Sequence, residues 1–184
     1  MNYLIYRNDG IGDLIVSTPL IKLIRIYDKD SNIHLVCSNR NVEFAYLLES
    51  NKLIDGYTNI DEYRSFFKKI QLYLKIKTIK VNHIIILKSS HVNILMSLLL
   101  KYSYQVTKKL TISSIVPLNL SKKGRNRYKP SKFLINAFFD HYEIIDGRND
   151  YLKSKNIQMF EHYANLANKA LKSKINTYDI PYFV

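Results

Sequence analysis

The sequence has no tryptophan, a single cysteine, four prolines and five glycines in 184 residues. Cys37 alone excludes an intramolecular disulfide, and without a CxxC partner it excludes a thiolate zinc cluster. The five histidines show no metal-ligand spacing either, so no metal site is expected. The opening MNYLIYRNDG has no basic n-region, and its apolar run is too short for a secretory signal. The longest apolar region, 84–100, is interrupted by Lys88, His91 and Asn93 and falls short of a spanning helix. These absences predict a soluble cytoplasmic protein in a reducing compartment. There is no internal repeat and no low-complexity tract. With 47% hydrophobic and 23% charged residues, a packed core and one ordinary domain are expected over residues 1–184.

The most unusual lack is of negative charge. Residues 63–139 contain no Asp or Glu and sixteen Lys or Arg, whereas the rest of the chain holds twelve basic and fifteen acidic groups. The net charge of +13 therefore belongs to the middle of the chain. A field of one sign attracts anions: nucleic acid, a phosphorylated glycolipid or an anionic membrane face. A solvated lysine-rich surface is the simpler alternative.

Strands and helices alternate. Residues 2–6 read as a buried strand, followed by a helix with Leu14, Ile15, Leu20, Leu23, Ile24 and Ile26 near a 3.6 period. Pro19 must kink this helix or lie near a late first turn. A polar turn at 28–32 leads to a strand at 33–37 and a short helix at 42–48. A weak strand at 52–60 is broken by Asp55 and Gly56. The helix predicted over 62–79 sets Phe66, Phe67, Ile70, Leu74 and Ile76 against Arg64, Lys68, Lys69, Lys75 and Lys77. The clearest buried strand is 81–87, followed by an apolar helix at 91–102. One or two short β segments are expected in 104–116. Between Pro117 and Pro130 the pattern lapses into what is expected to be a mobile basic loop. A short helix at 132–139, a strand at 142–145, a helix at 156–172 and an extended apolar tail at 179–184 complete the chain. This order predicts an α/β fold: a doubly wound, mostly parallel, Rossmann-like sheet.

Ligands bind such sheets beyond the carboxyl ends of the strands, which directs attention to the turn after the first strand. Gly10-Ile11-Gly12 is not a dinucleotide fingerprint. Ile15 stands where the third glycine would be, and Asp13 puts a carboxylate where a pyrophosphate needs positive field. Asp13 has two readings: a general base in the crevice, or a helix cap. Asp9, in an Asn-Asp-Gly sequence, has a ready explanation as a turn residue. Ser89 and His91 follow the best strand and so face the same side, as candidate acceptor contacts. His34 and His83 sit in predicted strands and read as structural, and His162 and Tyr163 as packing or surface residues.

The run from Arg7 through Gly12-Asp13 to Thr18-Pro19-Leu20 resembles the N-terminal motif of the family 9 glycosyltransferases, the ADP-heptose:lipopolysaccharide heptosyltransferases and their relatives. The later order agrees: a strand with Leu35-Val36, the strand at 84–87, a basic loop, and a helix containing Glu161-His162-Tyr163. The resemblance covers essentially the whole chain but only the first half of that family's architecture. It implies the N-terminal half of a GT-B glycosyltransferase, in which two Rossmann-like domains face each other across a cleft. The N-terminal domain binds the acceptor, the C-terminal domain binds the nucleotide-sugar, and transfer is inverting and metal-free.

Carried over, the catalytic base is Asp13. Arg7, Asp9, Gly10, Gly12 and Thr18 are candidate acceptor-binding residues beside it, and Lys122, Lys123, Arg125, Arg127 and Lys129 are candidate ligands for acceptor phosphates. The implied partners are an anionic glycolipid or glycan acceptor, the cytoplasmic membrane face as a peripheral contact, and a separate donor-binding domain. No cofactor is implied beyond an ADP-heptose-like co-substrate, held by a domain outside this chain. The sequence stops where the family's donor domain begins, so a truncated or split enzyme is expected. The competing readings are a non-enzymatic, basic nucleic-acid-binding α/β domain, although no nucleic-acid-binding motif is evident, and an inactive remnant.

Overall fold

A computed structural model describes residues 1–104, 110–118, 132–146 and 159–171. Within them six strands form one sheet: β1 (Asn2–Tyr6), β2 (Asn32–Cys37), β3 (Gly56–Asn59), β4 (His83–Ile86), β5 (Thr111–Leu118) and β6 (His141–Asp146). The helices are α1 (Ile11–Tyr27), α2 (Val42–Ser50), α3 (Phe66–Thr78), α4 (His91–Tyr104), α5 (Lys132–Phe138) and α6 (Met159–Leu171). The strand order is β3-β2-β1-β4-β5-β6 and every pairing is parallel. This is the doubly wound arrangement that the alternation predicts, with the winding direction reversing between β1 and β4.

The central strands are apolar on both faces, as a sheet covered by helices on each side requires. In β1, Tyr3 and Ile5 pack into one core while Leu4 and Tyr6 pack into the other. The first core takes Leu14, Leu20 and Ile24 from α1, Leu48 from α2, and Tyr163, Leu166 and Ala167 from α6. The second takes Leu72 and Ile76 from α3, Met96 and Leu100 from α4, and Ile135 from α5. The last helix thus returns across the sheet to lie on α1, beside the first strand of the chain.

Several boundaries move for local reasons. α1 starts at Ile11 and runs unbroken through Pro19, so the proline is interior and no late start occurs. Its missing N–H leaves one helical hydrogen bond unmade. In the same stretch Ser17 and Thr18 hydroxyls donate to the carbonyls of Asp13 and Leu14. The third strand begins only at Gly56, where a Cβ would come within 3.1 Å of His34 Nδ1 on the neighbouring strand. The helix expected over 62–79 is two elements. A 3-10 turn covers Ile60–Tyr63, and α3 then starts after Ser65, whose hydroxyl accepts the Lys68 N–H.

The apolar face predicted for that helix is corrected as well. Leu72 and Ile76 face the core, while Phe66, Phe67, Ile70 and Leu74 are exposed. Pro117 belongs to β5 rather than to the basic loop. It lies past Ser114, where β5 pairs only with β6. The rest of that loop, residues 156–158 and 172 of the predicted last helix, and the tail at 179–184 lie outside the described residues.

Candidate active site

Because the chain leaves β1 toward β2 and leaves β4 toward β5, the segments following these adjacent strands diverge and open a crevice. The residues after β1 are Arg7 to Gly10, and those after β4 are Leu87 to Ser90. Two polar side chains tie them together. Arg7 Nη1 donates to the Leu87 carbonyl at 3.0 Å. Asn93, fully buried in the first turn of α4, donates to Asn8 Oδ1 at 2.9 Å and to the Lys88 carbonyl at 2.8 Å. Asn41 supports the same turn from the other side, donating to the Arg7 carbonyl at 2.8 Å.

Arg7 organises the floor of the crevice. It is 3% exposed, and nearly all its donors are used within the chain. Nε donates to the Asp13 carbonyl at 2.9 Å; Nη2 donates to Asp13 Oδ1 at 3.4 Å and to the Tyr163 hydroxyl at 2.6 Å. The guanidinium carbon also lies 5.4 Å from the centroid of the Tyr163 ring. A planar, permanently charged fork is the side chain suited to serve this many acceptors at once.

Asp9 and Asp13 share this one cation but differ in setting. Asp9 Oδ1 lies 3.3 Å from Arg7 Nε, yet that N–H points at the Asp13 carbonyl, and the buried Oδ1 receives no hydrogen bond. Burial holds the Asp9 carboxyl above the ordinary carboxylate range, with Arg7 and Lys88 pulling it down and Asp13 pushing it up. The Asp13 side chain is 51% exposed. It is the third residue of α1, and its Oδ2 accepts the Gly10 N–H at 3.3 Å. This is one half of a capping box; glycine has no side chain to complete the other. The cap and the crevice carboxylate are therefore the same group in the same place. A Cβ at Gly10 would press on Asp13 Oδ2 at 3.2 Å, whereas one at Gly12 would meet nothing within 4 Å. Gly12 thus leaves open space at the start of α1.

The other expected residues fall in different places. Thr18 is buried, with its hydroxyl on the Leu14 carbonyl. Ser89 uses its hydroxyl on the Ile115 carbonyl and lies 3.3 Å from Ser114 Oγ, which ties β4 to β5. His91 is exposed at the first residue of α4. Lys122, Lys123, Arg125, Arg127 and Lys129 lie outside the described residues. Beside the crevice is a cleft of about 240 Å³, lined among others by Asn8, Tyr63, Arg64, Lys69 and Ser90.

Tyr163 and Asn93 are the residues that sequence reasoning missed. Asn93 appeared only as a break in an apolar run, although a polar side chain on the inward face of an apolar helix is itself a signal. Tyr163 gave no signal of its own beyond its place in Glu161-His162-Tyr163. Its neighbour His162 is also buried, with Nδ1 3.5 Å from Glu143. His34 and His83 bond to Thr58 and Ser113 on adjacent strands, each at 2.8 Å. Burial pushes both imidazoles down to about 4, which fits the structural role expected of them. Among the described residues no three His, Cys, Asp or Glu side chains gather as a metal site, and no helix is long and apolar enough to cross a membrane.

No family model and no curated protein matches the chain. Solved structures do. The Escherichia coli ADP-heptose lipopolysaccharide heptosyltransferase II superposes with a TM-score of 0.61 at 13% identity, over 98% of this chain and 44% of its own. A family 9 glycosyltransferase from Veillonella parvula gives 0.60 at 16% identity, over 92% of this chain and 41% of its own. A UDP-N-acetylglucosamine 2-epimerase gives 0.52 at 17% identity, over 86% and 46%. The chain thus spans less than half the length of each. What they share with it is the fold, and that fold is the one found in the N-terminal halves of GT-B glycosyltransferases.

Proposed function

We propose that these residues form the acceptor-binding half of an inverting, heptosyltransferase-like glycosyltransferase. It transfers a sugar from a nucleotide-sugar, ADP-heptose or a close analogue, to a lipopolysaccharide core or similar anionic surface glycan. The observation that carries this reading is Asp13: a half-exposed carboxylate at the start of α1, in the crevice between β1 and β4, fixed by Arg7 and the Gly10 N–H. The Gly-Asp and Thr-Pro motif around it and the likeness to a heptosyltransferase support the same reading. The epimerase shares the sheet, so the fold alone does not choose the reaction.

In this mechanism an acceptor hydroxyl lies against Asp13. The carboxylate takes the hydroxyl proton as the oxygen attacks the anomeric carbon from the face opposite the leaving group. The new C–O bond forms as the bond to the diphosphate breaks, and the nucleoside diphosphate leaves with that electron pair. Asp9, half-buried with Oδ1 3.3 Å from Arg7 Nε, keeps Arg7 in place. The nucleotide-sugar is held by a domain outside these 184 residues. The reaction is assigned to the cytoplasm, the compartment expected from the sequence.

The test is amide NMR on the purified chain. A phosphorylated core glycan is expected to shift the amides of Asn8 to Asp13 and of Lys88 to Asn93 saturably, while ADP-heptose alone does not. Saturable ADP-heptose binding would overturn the assignment of the donor site to another domain. Absence of glycan binding, together with tight, steeply salt-dependent binding to mixed DNA or RNA, would favour the nucleic-acid reading instead.

A further inference from the structure

α3 carries two apolar stripes. At 100° per residue, Leu72 and Ile76 form a narrow inner stripe, while Phe66, Phe67, Ile70 and Leu74 fall together on an outer face about 100° wide. That outer face is open: Phe66 is 74% and Phe67 77% exposed. The neighbouring α4 repeats the pattern with Leu95, Leu99 and Tyr102, spaced by four and three residues, all exposed. Of the fourteen large apolar side chains exposed among the described residues, seven lie on these two helices. A concentration of this kind marks a contact surface, whereas single exposed apolar residues do not.

The charge around it has one sign. Lys68, Lys69, Lys75 and Lys77 are exposed on α3: Lys69 flanks the outer stripe on one side, Lys68 and Lys75 on the other, and Lys77 continues it beyond Leu74. The acids nearest in sequence, Asp61 and Glu62, precede the helix, and Asp61 is paired with Arg64 at 3.5 Å. From Tyr63 through the end of α4 there is no acid. A second copy of this chain would set lysine against lysine across the contact. A surface of lipid phosphates would complement it, and lysine stems lie along apolar surface while their ammonium groups reach outward.

We propose that the outer faces of α3 and α4 dock this protein on an anionic lipid bilayer. Phe66, Phe67, Ile70 and Leu74 enter the interfacial region, and the surrounding lysines meet lipid phosphates. Because Lys69 and Tyr63 also line the cleft beside Asn8 and Ser90, docking brings the mouth of that cleft to the membrane surface. The inference goes beyond the proposed reaction: it requires neither a sugar donor nor Asp13.

The absence of tryptophan gives a direct test, since one introduced indole is the sole indole emitter in the chain. Phe67→Trp in the full chain is titrated with phosphatidylcholine vesicles containing about one-third phosphatidylglycerol. Tyr46→Trp, at an exposed position on α2 across the sheet, is the control. Emission is expected to shift to the blue for Phe67→Trp only, with anionic vesicles only, and less at high salt. Adding Leu74→Ser is expected to lower partitioning about tenfold, and Lys68→Gln with Lys75→Gln, confined to exposed side chains, to lower it further. Four results would overturn the proposal: no shift for Phe67→Trp; an equal shift for Tyr46→Trp; partitioning insensitive to both sets of changes; or a shift without vesicles that grows with protein concentration, which would assign the surface to a second copy. Failure of glycan binding at Asp13 would leave each of these outcomes unchanged.

Discussion

The Tyr163 hydroxyl, on the last described helix, accepts a 2.6 Å hydrogen bond from the Arg7 guanidinium at the end of the first strand. The two residues are 156 positions apart. Both are buried, and between them they set where the Asp13 carboxylate sits. The interaction therefore links the packing of α6 onto α1 to the geometry of the crevice.

Removing only the hydroxyl tests that link. Tyr163→Phe keeps the ring against the guanidinium and is expected to destabilise the fold by about 1.5 to 3 kcal/mol, the range for a hydrogen bond to a charged group. Arg7→Leu leaves the half-buried Asp9 carboxylate without its cation and is expected to cost about 3 kcal/mol. Urea unfolding followed by circular dichroism measures both. Equal, small effects would mean that Arg7 is not the organising cation.

Asp13 separates cap from catalyst. As a half-used cap, Asp13→Asn is expected to change stability by about 1 kcal/mol or less. As the base, it is expected to abolish turnover in an assay supplied with a donor domain while glycan affinity stays within a few-fold. Unchanged turnover would remove Asp13 from the base role. Gly10→Ala, whose methyl group would press on Asp13 Oδ2, is expected to lower turnover without unfolding the protein.

Asn93 is a prediction about architecture. Asn93→Ala removes the bridge from α4 to Asn8 and the Lys88 carbonyl. A loss of about 1 kcal/mol is expected, because two partly buried acceptors lose their hydrogen-bond donor. Hydrogen exchange should speed up at residues 88–93 before it does so in β1. Uniform acceleration across the sheet would count against a local bridging role.

Acid stability follows from the buried imidazoles. His83 is held neutral when folded, at about 4 against the usual 6.5 of a histidine, because burial disfavours its cation and His141 repels it, while Asp140 acts the other way. The folded state then binds fewer protons than the unfolded chain between these values, so stability rises with pH across that window. The contribution is complete above 6.5 and is lost as pH falls toward 4, by an amount on the order of 3 kcal/mol. His34 acts in the same direction over the same window. Below it, Asp140 and Glu143 add a further loss. Burial opposes their charged forms but is outweighed by hydrogen bonds, from Lys101 and the Ile112 N–H to Asp140 and from His162 and Lys169 to Glu143. Denaturation midpoints from pH 8 to pH 4 measure the slope, and His83→Gln is expected to flatten it.

The sequence by itself determined the alternation of strands and helices, because apolar periodicity is local and a strand apolar on both faces must be covered on both faces. It also placed Asp13 at the start of a helix after the first strand, and it confined the basic charge to the middle of the chain. Only the tertiary structure decided the strand order that sets Arg7 beside Leu87, the return of α6 that brings in Tyr163, and the choice of stripe that α3 buries. The reasons are physical. A hydrogen bond between residues far apart has no local pattern to announce it. A helix with an apolar stripe on each of two faces has no internal preference between them. Packing against the sheet selected Leu72 and Ile76 for the core and left Phe66, Phe67, Ile70 and Leu74 outside, where periodicity alone had placed the buried face.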